Sequence, residues 1–176
     1  MELMQCFENV RFMHKNAFFV AGLEVDIHYN SGDGTAPIGG LWGIWHSENI
    51  EELIPDKVSQ GVVYGITHGE TDDGKAKYFV GVEVSTLDNL PPGIMGRKFE
   101  ASEFAVFDTT LAIIFTGDFW RTFYSKWLPA SGYTMNEESY RKTNAAFRKY
   151  HAIEVYSEEH EDEQSVIQIY APVVKK

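Results

Sequence analysis

The sequence predicts an α+β fold in which one strand-helix-strand-strand module occurs twice. Three observations lead there. Apolar residues alternate along residues 18–27 and 78–84, the period of two that marks strands. Aromatic and aliphatic residues recur at helical spacing behind the first strand of each half, and a Pro-Pro-Gly break near mid-chain precedes a second run of the same element order.

Phe19, Ala21, Leu23, Val25 and Ile27 alternate with Phe18, Val20, Gly22, Glu24 and Asp26, so the first strand is expected to bury the former set on one face. The turn-rich Asn30-to-Gly34 segment follows. Thr35 can then cap a helix with Pro37 in its first turn, and Ile38, Leu41, Trp42, Trp45 and Leu53 continue it toward Pro55. Gly39, Gly40 and Gly43 each weaken that helix by about 1 kcal/mol relative to Ala, which predicts a close approach to its backbone.

VVYGITH and KYFVGVEVST read as paired strands joined at an Asp-Asp-Gly turn. LDNLPPGIMG is a connector. Beyond it come a strand through EFAVFDTT, a helix from about Thr116 to Trp127, and a strand pair HAIEVYS and QSVIQIYAPVV. Phe115, Phe119, Phe123 and Trp127 fall at four-residue steps, with Trp120 and Tyr124 beside them. Residues 134–153 are an insertion in the second copy, with a short helix expected around 136–150. The acidic run from Glu158 to Glu163 is expected to be a solvated hairpin loop. The whole chain, 1–176, is read as a single domain of two half-modules, about 1–90 and 91–176. Facing each other, the modules would build a pseudo-two-fold antiparallel sheet with two main helices and a central ligand groove along their junction.

Composition excludes several functions. At 44% apolar and 14% aromatic residues the chain can bury a core, so wholesale disorder is ruled out. Lys plus Arg number 15 against 26 Asp plus Glu, and a formal charge of -11 opposes direct nucleic acid binding by the bulk surface. Cys6, the single cysteine, forms no internal disulfide and reads as a small buried hydrophobe. The six histidines show no H-x-x-x-H spacing and no haem ligand stands out among them; with no P-loop, G-x-S-x-G or dinucleotide fingerprint, neither a metal nor a cofactor is expected. The N-terminus lacks a secretory signal and no long apolar run exists, so a cytoplasmic protein without a membrane span is expected.

Five segments together resemble the gyrase-inhibitor-like (GyrI-like) effector-binding domains, also found at the C-terminus of AraC-type and MerR-type multidrug-responsive regulators. They are YGITHGETDDGKAKYFVGVEV, PPGIMGRKFEASEFAVFDT, WRTFYSKWLPASGY, AIEVYSEE and IQIYAPVV, which with the LWGIW helix span nearly the whole chain. The resemblance implies the duplicated fold inferred above, with small molecules, often planar aromatic cations, held between the halves. No helix-turn-helix precedes the first strand, so a stand-alone bacterial member is expected.

Glu154 is the leading candidate residue. Its strand places Ala152, Glu154 and Tyr156 on one face, setting a carboxylate beside an aromatic ring, and an unpaired buried carboxylate costs several kcal/mol that a cation would remove. The resemblance implies the same role for Glu154-Val155-Tyr156, whose E-x-Y meets the ligand's charge; Glu138-Ser139-Tyr140 is a weaker rival. Repeating the module maps Tyr64 onto Glu154, which predicts that the two face each other across the junction. Trp42, Trp45 and Trp120 are candidate aromatic walls, at least one of them facing the groove.

The function expected is binding of a hydrophobic, cationic aromatic small molecule, for drug or toxin sensing or sequestration. The alternative is an enzyme: some stand-alone family members hydrolyse cyclopropane-containing toxins, for which Glu154 would be general base and Tyr64 hydrogen-bond donor. DNA gyrase is a third partner that the family name suggests, with no support beyond the negative charge.

Overall fold

Alternation and helical spacing become strands and helices in the expected order. The computed structural model describes residues 1–71, 73–137 and 152–176; the helix expected around 136–150 falls almost wholly outside them, as does Glu138-Ser139-Tyr140. A short 3-10 helix (Leu3–Phe7) leads into β1 (Arg11–Lys15), β2 (Phe18–His28), α1 (Ala36–Ser47), α2 (Ile50–Leu53), β3 (Val63–His68) and β4 (Lys75–Val84). The second pass comprises β5 (Met95–Phe99), β6 (Ser102–Thr110), α3 (Leu111–Phe115), α4 (Asp118–Thr122), a π-helical turn (Phe123–Trp127), α5 (Leu128–Ala130), β7 (Tyr133–Met135), β8 (Ile153–Tyr156) and β9 (Val166–Lys175). No helix among the described residues is long and apolar enough to cross a membrane.

These strands form one antiparallel sheet in the order β1-β6-β9-β8-β3-β4-β2-β5, with β7 added against β9. The order is the same from either end. Each pass lends its leading strand to the other: β1 runs into β2 but pairs with β6, Lys15 opposite Ser102, while β5 runs into β6 but pairs with β2, Phe99 opposite Phe18. Phe19 is therefore equivalent to Glu103, and their partners Val84 and Val173 are equivalent in turn. Four residues back, Val80 and Ile169 pair with Gly65 and Glu154. Gly65 and Glu154 pair with each other, so the pseudo-two-fold axis passes through them.

Both faces of the sheet are covered. One carries α1 and the α3-to-α5 segment over two clusters, Ala21, Tyr78, Val80 and Trp45 in the first and Phe107, Phe119, Phe123 and Ile169 in the second. The other buries Phe18, Val20, Ile66, Phe79, Phe99, Phe104 and Ile153, with Met13 packed alongside. Met13 lies on one end strand and Phe99 on the other, so the sheet curls round this second face. The expectation of a half-buried first strand is thus corrected, since Phe18 and Val20 sit in one core and Ala21 and Ile27 in the other.

Two further expectations change. The second helix is not continuous over 116–127: Gly117 breaks it in the left-handed region at φ 77°, leaving Phe115 70% exposed. Beyond the break α4 leads into the π turn, Phe119 and Phe123 are both fully buried, and Trp127 stacks on Phe123 at 5.4 Å. On α1, Gly39, Gly40 and Gly43 have no heavy atom within 4 Å of where a side chain would begin, so the expected close approach is not found among the described residues.

The curled face also holds ionic ties between distant strands. Lys15 of β1 reaches Glu83 of β4 at 2.9 Å, and Tyr64 Oη donates to the same carboxylate at 3.1 Å. Glu24 of β2 accepts from His68 Nε2 at 2.7 Å and from Arg97 Nε at 2.9 Å, joining β2, β3 and β5. Burial pushes the Glu24 carboxyl up, but the hydrogen bonds from His68 and Arg97 outweigh it and hold the group at about 2, against an ordinary 4.5. A depressed carboxylate contributes stability that is present above the unfolded value and lost as pH falls through the folded one. Glu24→Gln is therefore expected to cost about 2–3 kcal/mol near neutral pH, with the difference from wild type closing as the pH drops below that of an ordinary carboxylate. Urea unfolding of both proteins across that range checks it; a pH-independent difference would exclude the ionic tie.

Candidate ligand-binding site

Alternation on β3 and β8 decides which side chains meet at the axis. Gly65, Thr67, Glu154 and Tyr156 point toward the helices, whereas Tyr64, Ile66, Ile153 and Val155 point into the curled core. Tyr64 is therefore not brought to Glu154. The repeat that predicted this was out of register by one residue: Gly65, not Tyr64, is the counterpart of Glu154, and one residue moves a side chain to the opposite face.

What meets Glu154 instead comes from β4 and from its own strand. Its Oε2 accepts hydrogen bonds from Tyr78 Oη at 3.1 Å and from Tyr156 Oη. Tyr78 Oη itself accepts from Trp42 Nε1 of α1 at 3.1 Å, and the Trp42 ring packs edge-on against Tyr156 at 4.9 Å. This network needs a glycine beneath it. A Cβ on Gly65 would lie 2.2 Å from Tyr78 Oη and 3.1 Å from Glu154 Oε2, so the missing side chain is the space the phenol occupies. Among the described residues Oε1 of Glu154 takes no hydrogen bond.

Glu154 forms part of the wall of a cavity of about 230 Å³, shared with Tyr29, Thr67, Glu70, Trp120, Tyr124, Met135 and Ala152. Burial pushes its carboxyl above the ordinary range, and the Tyr156 and Tyr78 hydroxyls pull it only part of the way back. The phenols respond in kind. Burial raises Tyr78 and Tyr156, and the Glu154 charge beside them raises both further. Tyr29 is pushed up to about 12 by burial and by the charges of Glu70 and Glu154. A half-buried carboxylate lining a cavity with aromatic side chains is a group that a positive charge stabilises.

Of the other residues singled out in the sequence, Trp120 lines the cavity and Tyr156 holds the carboxylate. Trp42 stands behind the site as the donor to Tyr78, and Trp45 is 3% exposed in the core beneath α1. Tyr29, Glu70, Tyr78 and Tyr124 were not foreseen as site residues. Gly65 was the available signal for Tyr78, because an isolated glycine within a strand marks a close approach. Larger recesses of about 730 and 520 Å³ lie at Leu128, Tyr133 and Val174 and at Asp26, Asp33 and Lys75, away from Glu154. Among the described residues no three His, Cys, Asp or Glu side chains group to hold a metal.

Gly65→Ala should force Tyr78 Oη off Glu154 and cost about 1–3 kcal/mol of stability, the usual penalty of overpacking a filled site. Denaturant unfolding measures it; an unchanged midpoint would mean that the phenol does not depend on the glycine.

Comparison with known proteins agrees with this fold. A solved structure of SAV2435 bound to tetraphenylphosphonium superposes with a TM-score of 0.70 at 15% identity, covering 94% of each chain. The EcmrR C-terminal domain gives 0.62 at 11% identity over 96% of this chain and 98% of that one. An integron cassette protein from the mobile metagenome of Vibrio cholerae gives 0.61 at 17% identity over 96% and 97%. No curated protein matches the sequence. The family model for the integron-associated effector binding protein, Cass2, matches residues 11–173. With that match over nearly its full length, and the GyrI-like fold of its structural neighbours, the chain belongs to the integron-associated effector binding proteins.

Proposed function

We propose that this chain binds hydrophobic aromatic cations in the cavity that Glu154 shares with Trp120 of α4 and Tyr124 of the π turn, as a drug- or toxin-sensing or sequestering module. Glu154 supplies the counter-charge, Tyr78 and Tyr156 fix its Oε2, and Trp120, Tyr124 and Tyr29 are the stacking walls. The observation that carries this reading is a desolvated carboxylate with one oxygen unbonded among the described residues, lining an aromatic cavity. The tetraphenylphosphonium held by SAV2435, which shares the fold, supports it. Each ring face contributes roughly 0.5–2 kcal/mol to holding a cation, so the walls and the acid are of similar weight. The cavity of about 230 Å³ is smaller than the roughly 300–1,000 Å³ of a drug-sized site, so a large cation enters by parting the aromatic walls.

The expected signature is charge-specific. Glu154→Gln keeps the shape of the side chain and should weaken tetraphenylphosphonium by about tenfold or more, a loss near 1.4 kcal/mol, while neutral triphenylphosphine oxide changes less than about twofold. Titration calorimetry on both proteins checks it; equal losses for the two compounds would remove the counter-charge role.

The pH dependence follows from the raised carboxyl. A cation prefers the ionised form, so affinity is at its plateau above the Glu154 pKa and declines as pH falls through it, approaching about tenfold per unit below. Glu154→Gln should flatten that profile. A wild-type profile that stays level from neutral pH down through the ordinary carboxylate range would contradict the assignment.

A further inference from the structure

The directions of the hydrogen bonds around Glu154 bear on what kind of cation it meets. An indole nitrogen only donates, and Trp42 Nε1 gives its hydrogen to Tyr78 Oη, so the proton of that hydroxyl is left for Glu154 Oε2. Tyr156 Oη donates to the same oxygen. The Oε2 position is therefore an acceptor twice over, fixed by donors on β4 and β8, while Oε1 receives nothing among the described residues. Nor is Oε1 sealed in. Among the described residues every wholly buried side-chain nitrogen or oxygen has a partner except His160 Nδ1, so an unpartnered Oε1 is an accessible one, on a residue that lines the cavity.

We infer that the cavity selects aromatic cations whose positive centre carries an N–H, such as protonated heteroaromatic amines, and that this N–H donates to Glu154 Oε1. This rests on the aromatic-cation reading above and adds the chemical form of the cationic centre. A quaternary centre satisfies the charge but covers the oxygen with alkyl or aryl groups, displacing the water that solvates an accessible carboxylate and returning no hydrogen bond. An N–H returns a charge-assisted one. Tyr29, Trp120 and Tyr124 receive either kind of ring alike, so the discrimination falls to a single oxygen. The overall charge of -11 draws both kinds of cation equally.

Two dyes with the same ring system and one positive charge each at neutral pH separate the two forms: acridine orange, protonated on its ring nitrogen and with no other N–H, and its ring-N-methyl derivative. Titration calorimetry should show wild type preferring acridine orange by about tenfold, the size expected of one charge-assisted hydrogen bond. Glu154→Gln should do more than weaken both dyes. Tyr78 and Tyr156 still require an acceptor at the Oε2 position, so the amide oxygen belongs there and the NH2 turns to the cavity, where it meets the ring N–H donor to donor. The preference should therefore vanish or invert, whereas one that arose from the bulk of the methyl group would survive. Thermal unfolding checks that the variant is folded. A second readout needs no variant: with the ring nitrogen isotopically labelled, the N–H proton of acridine orange bound to wild type should resonate downfield of its free position and exchange slowly with water.

Equal affinity of wild type for the two dyes, a preference that Glu154→Gln leaves intact, or a bound N–H that exchanges as freely as that of the free dye overturns the inference. Tetraphenylphosphonium distinguishes the two levels of the argument. If it binds wild type and the N–H preference is missing, only the N–H inference fails; if it and both dyes fail to bind, the aromatic-cation reading fails with it.

Discussion

One half-buried carboxylate on the sheet's pseudo-two-fold axis is the constraint around which the site is arranged. Glu154 sits where two halves of a continuous sheet meet, and its cost of burial is offset by two phenols donating to a single oxygen. Each partner depends on the next. Tyr78 can reach Glu154 because Gly65 has no side chain, and it is held in place by Trp42 of α1, so the helix, β4, β3 and β8 are joined through one acid. Removing any link leaves a buried polar group short of a partner, an arrangement whose cost is larger than the value of the bond that was lost.

A symmetric scaffold thus carries an asymmetric site. The sheet order is the same from either end and the axis passes through the Gly65-Glu154 pair, yet one member of that pair is an acid and the other has no side chain. Two equivalent acids directly opposite each other at the axis would repel in a medium that screens them poorly. With glycine at one position, a phenol from β4 fills the gap and becomes a hydrogen-bond donor to the acid at the other. The second acid in the cavity, Glu70, lies past the end of β3 rather than at the axis.

Much of the fold was legible because it rests on local periodicity. Alternation located β2 and β4, Pro37 and Pro55 bracketed α1 and α2, and the repeated order of elements foretold two matching halves. Register was not legible. Tyr64 was taken as the counterpart of Glu154, and an error of a single residue sent it to the opposite face, where it hydrogen-bonds Glu83. Tyr78 reaches Glu154 from a neighbouring strand, Tyr29 and Glu70 reach the cavity from a strand end and a turn, and no spacing within one element reports such convergence. The four-residue aromatic steps were read as a regular helix because the sequence does not announce a π turn, although steps of four suit one better than an α-helix. Trp42, Trp45 and Trp120 looked alike as helical aromatics; their separate roles as donor, core and wall follow from how α1 and α4 are rotated against the sheet.

The exchange of leading strands bears on how such a chain could have arisen. Because β1 completes the ladder begun by β6 and β5 completes the one begun by β2, neither portion closes its own sheet margin. A single ancestral copy would have found its missing partner only in another molecule, swapping arms across a true dyad. Fusion into one polypeptide would free the two axial positions to differ, so that a pocket a homodimer would furnish in duplicate can have an acid at one and, at the other, a glycine that admits a phenol.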